Sequence, residues 1–268
     1  MLLSLNGRRI AYDLLGSEGS PVVCFTHSLA ADGGMWAEQV PPLLTMGFRV
    51  LRLDMRGHGG SDPVPGPYTM SALAADVAGA LDGLGIKRVH YIGLSIGGML
   101  GQAFALEHPG KLISAIWCDT RPSTPTEGTA AWAERIATVE KAGSVAPLAD
   151  ATVDRWFTDA FKPRHPARWT QIRDTVAATT PQGYIGSCQA IMDFDFTPRL
   201  PQVQAPVLVL CGAEDMGTPP AENRRIAALL PNGHYEEIAE ARHFPNVEHP
   251  DVFNHHMMGW LDTKRHLS

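Results

Sequence analysis

Short apolar runs alternate with longer amphipathic stretches over the first part of the chain. Val22-Val23-Cys24-Phe25, Val50-Leu51-Arg52-Leu53 and Val89-His90-Tyr91-Ile92 end near Gly, Asp or His, the pattern of parallel strands buried on both faces. Between them, Met35 to Leu44 and Ser71 to Leu84 are helical in period; Ser71 is the predicted N-cap of the second helix and Gly85 its C-terminal stop. A helix from about Ile96 to Glu107 and a strand from Ile113 to Cys118 continue the series. Near Arg121 the pattern changes. Arg121-Pro122-Ser123-Thr124-Pro125-Thr126 reads as a linker, and from Thr129 to about Met192 the period is helical throughout. Strand-like runs resume at Val207 to Leu210 and at His234 to Ile238. The expected class is α/β, with a mostly parallel central sheet carrying helices on both faces. Its core domain should comprise residues 1–122 and 193–268, interrupted by a helical lid over residues 123–192.

Composition narrows the partners. With 268 residues, 44% of them hydrophobic and 19% charged, the chain can bury a sizeable core. A formal net charge of −6 offers no basic patch to displace counterions from phosphates, which argues against nucleic acid. No apolar stretch has the length of a signal peptide or a membrane span, so a cytoplasmic location is expected. Cys24, Cys118, Cys188 and Cys211 form no Cys-x-x-Cys pair and read as reduced core thiols.

The candidate chemistry centres on Gly93-Leu94-Ser95-Ile96-Gly97, which follows one predicted strand and opens a predicted helix. That context fits a sharp turn on which Ser95 projects above the carboxyl ends of the strands as a nucleophile. A serine hydroxyl needs a base. Among 11 histidines, His243 lies in a loop after the last predicted strand and comes last in the order nucleophile, acid, base. His27, His58 and His90 read as packing and turn residues, and His249, His255 and His256 as a solvated helix face without metal-ligand spacing. Two carboxylates compete for the third role. Asp215 directly follows the strand at Val207 to Leu210, while Asp119 follows the strand nearer the candidate nucleophile; Asp215 is preferred, with Glu214 expected to point away. The backbone N–H groups of Leu29 and Ile96 are the candidate oxyanion donors. Trp132 and Trp156 are the candidate substrate-binding residues of the lid, with Trp169 beside them in sequence terms as a further aromatic. One of Arg135, Arg155, Arg164 and Arg168 would suit a substrate carboxylate if it faced inward. Neither a metal nor an organic cofactor is called for, and activity should fall where an imidazole becomes protonated.

These residues carry a resemblance. The chain is similar to the α/β-hydrolases, and among them to the 3-oxoadipate enol-lactonases. It rests on Arg56-Gly57-His58-Gly59-Gly60-Ser61-Asp62, Gly93-Leu94-Ser95-Ile96-Gly97-Gly98-Met99, Thr218-Pro219-Pro220 and Asn246-Val247-Glu248. In the lid it rests on Trp132 to Val139 and on Arg155-Trp156-Phe157. The resemblance implies an α/β-hydrolase fold, a Ser95-Asp215-His243 triad and a small lactone or ester as substrate. Two stretches depart from it: His27-Ser28-Leu29-Ala30 stands where Asn-Ser-Leu-Gly is expected, and Met216-Gly217 differs between Asp215 and the Thr-Pro-Pro. A broad carboxylesterase on the same fold is the nearest rival reading. A ligand receptor with little turnover is the rival from another class.

Overall fold

The structure is a computed structural model and describes residues 1–267. The chain runs β1 (Leu2–Leu5), β2 (Arg8–Leu15), β3 (Val22–Thr26), a 3-10 segment Gly33–Gln39, α1 (Val40–Thr45), β4 (Arg49–Leu53), α2 (Met70–Gly83), β5 (Val89–Leu94), α3 (Ile96–Glu107) and β6 (Leu112–Cys118). Five helices follow: α4 (Thr129–Ala142), α5 (Ala149–Trp156), α6 (Phe161–Arg164), α7 (Pro166–Ala178) and α8 (Pro181–Met192). The chain then completes β7 (Val207–Gly212), α9 (Pro220–Leu229), β8 (Gly233–Ile238), α10 (Pro245–Glu248) and α11 (Pro250–Lys264). All eight strands join one sheet in the order β1-β2-β4-β3-β5-β6-β7-β8. The six from β4 to β8 are mutually parallel, and β1 and β2 add an antiparallel edge.

The apolar runs explain this order. Every residue of β3, β5, β6 and β7 is buried, as strands covered by helices on both faces must be. The outer strands β1 and β8 largely alternate half-buried and exposed positions. The β1–β2 hairpin is absent from the sequence-based expectation, although its signal is there. Asn6 and Gly7 both take positive φ (50° and 78°), the turn that Asn-Gly favours between paired strands.

Two helix boundaries differ from expectation. Thr69, not Ser71, caps α2, accepting from the Ala72 N–H at 3.1 Å, and the Ser71 hydroxyl donates to Glu107 instead. Thr69 has the extended backbone an N-cap requires (φ −128°, ψ 156°), whereas Ser71 already lies inside the helix. The stretch Met35 to Leu44 is not one helix, because the 3-10 segment kinks at Trp36 before Pro41-Pro42 start α1.

Between β6 and β7 the chain leaves the sheet and returns. A bridge between Ser123 and Asp195, with Phe196 N–H donating to the Pro122 carbonyl at 2.9 Å, closes the base of this helical excursion. Its far side is stitched to the loop after β8. Phe244 N–H donates to the Trp156 carbonyl, Arg242 donates to the Phe157 carbonyl at 2.8 Å, and Trp156 stacks on Phe244 with centroids 4.2 Å apart. Cys24, Cys118, Cys188 and Cys211 are all buried and free. Among the described residues no helix is long and apolar enough to cross a membrane.

Candidate active site

Register brings distant parts of the chain to one edge. Strand order reverses at β3, which pairs with β4 on one side and β5 on the other, so a crevice opens beyond the carboxyl ends of β3 and β5. Thr26 pairs with Gly93, which sets the loop 27–31 beside Ser95. Leu94 pairs with Cys118, Cys118 with Leu210 and Gly212 with Ile238. The segments after β6, β7 and β8, which carry Asp119, Asp215 and His243, therefore leave the sheet side by side.

Ser95 sits at the turn between β5 and α3 with φ 59° and ψ −118°, a conformation that costs an L-residue about 1–3 kcal/mol. Three hydrogen bonds hold it there. Its N–H donates to the Cys118 carbonyl at 2.9 Å, and its carbonyl accepts from the Thr120 hydroxyl at 2.9 Å and from Met99 N–H at 3.0 Å. The strain is further offset by burial of Ile92, Leu94 and Ile96, none of which retains any exposure; each such side chain contributes roughly 1.5–3 kcal/mol. The flanking glycines are required by contact rather than by φ. A Cβ on Gly93 would overlap the Gly97 carbonyl, and one on Gly97 would press into the Thr26 carbonyl.

Two backbone donors beside Ser95 lack acceptors. Neither Leu29 N–H nor Ile96 N–H donates to any acceptor among the described residues, although Leu29 is 7% exposed and Ile96 fully buried. Buried N–H groups are seldom left unpaired. Ile96 opens α3, so its donor is free by helix geometry and carries the positive end of the helix dipole. A pair of such donors can hold a developing oxyanion.

The imidazole and carboxylate are joined. His243 Nδ1 lies 2.8 Å from Asp215 Oδ2, which also accepts from the Thr218 hydroxyl at 2.5 Å. Asp215 Oδ1 accepts from Gly217 N–H (2.8 Å) and Thr218 N–H (3.2 Å). Burial alone would raise the Asp215 pKa, but the charge and hydrogen bond of His243, with the side-chain and backbone hydrogen bonds of Thr218, bring it down to about 2. Glu214 is exposed and away from this set. Thr218 and Asn223 are components the sequence reading passed over. Asn223 donates to the Thr218 carbonyl at 2.8 Å and accepts from Thr120 N–H at 2.9 Å, tying the acid loop to the segment after β6. The signal for Thr218 was its place at the head of the Thr-Pro-Pro run, three residues after Asp215.

Asp119 makes no hydrogen bond to His243. It is fully buried, with Oδ1 accepting from Gly212 N–H at 2.8 Å and Oδ2 lacking a hydrogen-bond partner. Asp119, Asp215 and His243 nevertheless present polar atoms within 4.8 Å of one another. Desolvation, reinforced by the neighbouring Asp215 charge, holds Asp119 well above the usual carboxylate range. The linkage has a definite sign. A carboxyl whose pKa rises on folding adds stability that is complete below the unfolded value, about 3.9, and declines as pH rises toward the folded value. Asp119→Asn removes that decline and keeps an acceptor for Gly212. Relative to wild type, the variant should therefore gain stability as the pH rises above about 4; urea midpoints across a pH series check it, and a difference independent of pH would contradict it.

Ser28, Leu29, Ser95, Asp215 and His243 line one cavity of about 320 Å³. Trp132 and Trp156 form part of its wall, whereas Trp169 packs in the core under Lys162 and does not reach it. Of the four arginines weighed from sequence, Arg135 and Arg155 line the cavity; Arg168 is committed to Glu38 at 2.9 Å, and Arg164 stands exposed on α6. Arg121, read from sequence as linker, also lines it and donates to the Gly217 carbonyl at 2.8 Å. Among the described residues neither Arg135 nor Arg155 has a carboxylate within ion-pair reach. Desolvation and the charge of Arg135 both lower the Arg155 pKa, as expected for like charges facing a shared space. Met216, one of the departures noted above, is 66% exposed at the cavity mouth. His249 is bound to the Glu240 carbonyl, and His255 contacts only the ring of His256 among aromatic neighbours.

Comparison with known proteins agrees with this architecture. A family profile described as alpha/beta hydrolase fold matches residues 21–250. A 3-oxoadipate enol-lactonase of Acinetobacter baylyi is 32% identical over 91% of this chain and 90% of its own length. The crystal structure of the enol-lactonase from Burkholderia xenovorans superposes with a TM-score of 0.93 at 34% identity, covering 98% of this chain and all (100%) of that one. A thermophilic esterase from Thermogutta terrifontis superposes with a TM-score of 0.89 at 30% identity, over 98% of this chain and 97% of that one.

Proposed function

The chain belongs to the α/β-hydrolase family, and we propose that it is a serine hydrolase that opens a lactone or cleaves a small carboxylic ester through an acyl-enzyme, like the enol-lactonases it resembles. The observation that carries this reading is the pair of unpaired N–H donors, Leu29 and Ile96, flanking a strained serine on the cavity that His243 also lines. In the proposed mechanism His243 takes the Ser95 proton as the hydroxyl oxygen attacks the carbonyl carbon. The carbonyl oxygen gains the negative charge and is held by Leu29 and Ile96 N–H. Collapse of the tetrahedral species breaks the acyl C–O bond, and His243 returns its proton to the leaving oxygen. For a lactone that oxygen stays tethered to the acyl group. His243 then deprotonates water for attack on the acyl carbon, and as the bond from that carbon to Ser95 Oγ breaks it returns the proton to the serine oxygen, releasing the carboxylic acid. Asp215 orients the imidazole and balances its charge. Residues 123–192 act as a lid that supplies the aromatic wall and the guanidinium groups.

The carboxylesterase reading is supported by the esterase similarity and by Trp132 and Trp156 in the cavity wall. A panel of enol-lactones, saturated lactones and short acyl esters separates the two. Higher kcat/KM on lactones supports the lactonase reading, and activity confined to simple esters overturns it. A serine-directed phosphonate should label Ser95 alone, read by peptide mass mapping; labelling elsewhere contradicts the assignment.

The unpaired guanidiniums favour substrates with a carboxylate. Arg135→Ala combined with Arg155→Ala should raise KM for a p-nitrophenyl hemisuccinate by at least about tenfold, the cost of losing a charged hydrogen bond. KM for the neutral butyrate ester should barely move. Equal effects on both esters would contradict a role in charge recognition.

A further inference from the structure

The motif Arg56 to Asp62 and the His27 side chain of the substituted loop have no part in the mechanism above, yet they touch. We propose that His27 is a positioning residue that aims the Leu29 N–H at the oxyanion by clamping the Ser28 carbonyl. The inference rests on the serine-hydrolase reading and adds to it the group that sets its electrophilic site.

The geometry determines the tautomer of His27. Met55 N–H donates to Nε2 at 2.9 Å, and a backbone N–H can only donate, so Nε2 bears no proton. The ring proton is therefore on Nδ1, which donates to the Ser28 carbonyl at 2.8 Å. Burial lowers the His27 pKa and so keeps the ring neutral, although the Ser28 carbonyl and Asp32 act in the opposite direction. The Ser28 carbonyl and the Leu29 N–H belong to one planar trans peptide and point in opposite directions. Whatever fixes the first aims the second.

The loop needs such a clamp. Ala30 has φ 60°, where glycine is favoured, and Ala31 N–H closes the turn onto the same Ser28 carbonyl at 3.1 Å. His27 gives that carbonyl its second donor. The ring is itself wedged by the Arg56 to Asp62 turn, since His58 packs against it with centroids 5.1 Å apart and is anchored through Nδ1 to the Arg56 carbonyl at 2.9 Å. Asp54 ties the same two loops from below, accepting from Gly33 and Gly60 N–H at 2.8 and 2.9 Å. The Arg56 to Asp62 turn is thus a buttress for the oxyanion loop.

The test compares wild type with His27→Phe, which keeps ring volume without hydrogen bonds, and His27→Asn, which restores a donor and an acceptor on one side chain. The probe is p-nitrophenyl acetate, with Ser95→Ala as the control. His27→Phe should lower kcat by about 100-fold, the effect of losing one oxyanion donor, with KM nearly unchanged, and His27→Asn should recover most of the loss. A His27→Phe enzyme with wild-type kcat overturns the proposal. So do variants in which KM moves as far as kcat and His27→Asn recovers nothing. An activity-independent check is available in the wild-type protein. Histidine ¹⁵N shifts should show His27 protonated at Nδ1, and protonation at Nε2 instead overturns the clamp even where His27→Phe fails to fold. If wild type and Ser95→Ala hydrolyse the ester equally, the serine-hydrolase reading itself fails and this inference falls with it. Ser95-dependent turnover that His27→Phe leaves intact removes the inference alone.

Discussion

Replacement of Ser95 by alanine should lower kcat by about 10⁴- to 10⁶-fold while the fold survives. The proposed acyl-enzyme cannot form without the hydroxyl, and the residual rate comes from the oxyanion donors and from substrate positioning. Little stability is at stake. The bonds that hold residue 95 in its strained conformation come from backbone atoms to Cys118, Thr120 and Met99, and alanine keeps all of them. Alanine also has the same Cβ as serine, so the positive φ becomes no harder to adopt. Steady-state kinetics on a lactone or ester, beside thermal melts, check both halves. A variant that keeps activity within about tenfold of wild type excludes Ser95 as nucleophile.

The second large effect is expected at Asp215. Asp215→Asn should reduce kcat by about 10³- to 10⁴-fold, with a minor effect on KM. Asn can still accept from Gly217 and Thr218 N–H, so the loop after β7 keeps its two backbone bonds. Its amide N–H, however, would face His243 Nδ1, favouring the tautomer whose Nε2 carries a proton and cannot serve as a base. Asp119→Asn is the matched control and should stay within about tenfold of wild type, because Asp119 makes no bond to His243 and its Oδ1 is held by Gly212 N–H instead. The reverse result would move the acid to Asp119. The pH profile supplies a further check. With Asp215 ionised down to about 2, a loss of activity in mildly acidic solution would not report protonation of this carboxylate.

Much of the central architecture was legible because the buried strands announce themselves. Val22 to Phe25 and Val207 to Leu210 are continuous apolar runs, and Val89 to Ile92 is interrupted at His90 alone, since parallel strands covered on both faces tolerate no polar alternation. The terminal hairpin was less legible, because β1 and β2 lie at an edge and mix polar with apolar residues. Helix starts were misjudged where several hydroxyl residues compete. Thr69 and Ser71 are equally plausible caps by composition, and only backbone conformation chose between them. The candidate acids posed the same difficulty. Asp119 and Asp215 both follow buried strands, and their difference lies in hydrogen bonds to a histidine far along the chain.

By itself, then, the sequence determined the class of fold, the turn that carries Ser95, and the order in which a candidate nucleophile, two candidate acids and a candidate base occur. These are local properties: apolar periodicity, glycines where backbones meet, and loops that follow strands. Tertiary structure decided what depends on contact between segments remote in the chain. It joined Asp215 rather than Asp119 to His243, turned Arg135 and Arg155 toward the cavity while committing Arg168 to Glu38, and set His27 against the Ser28 carbonyl. Each outcome follows from strand register and from a few hydrogen bonds whose partners no local pattern specifies.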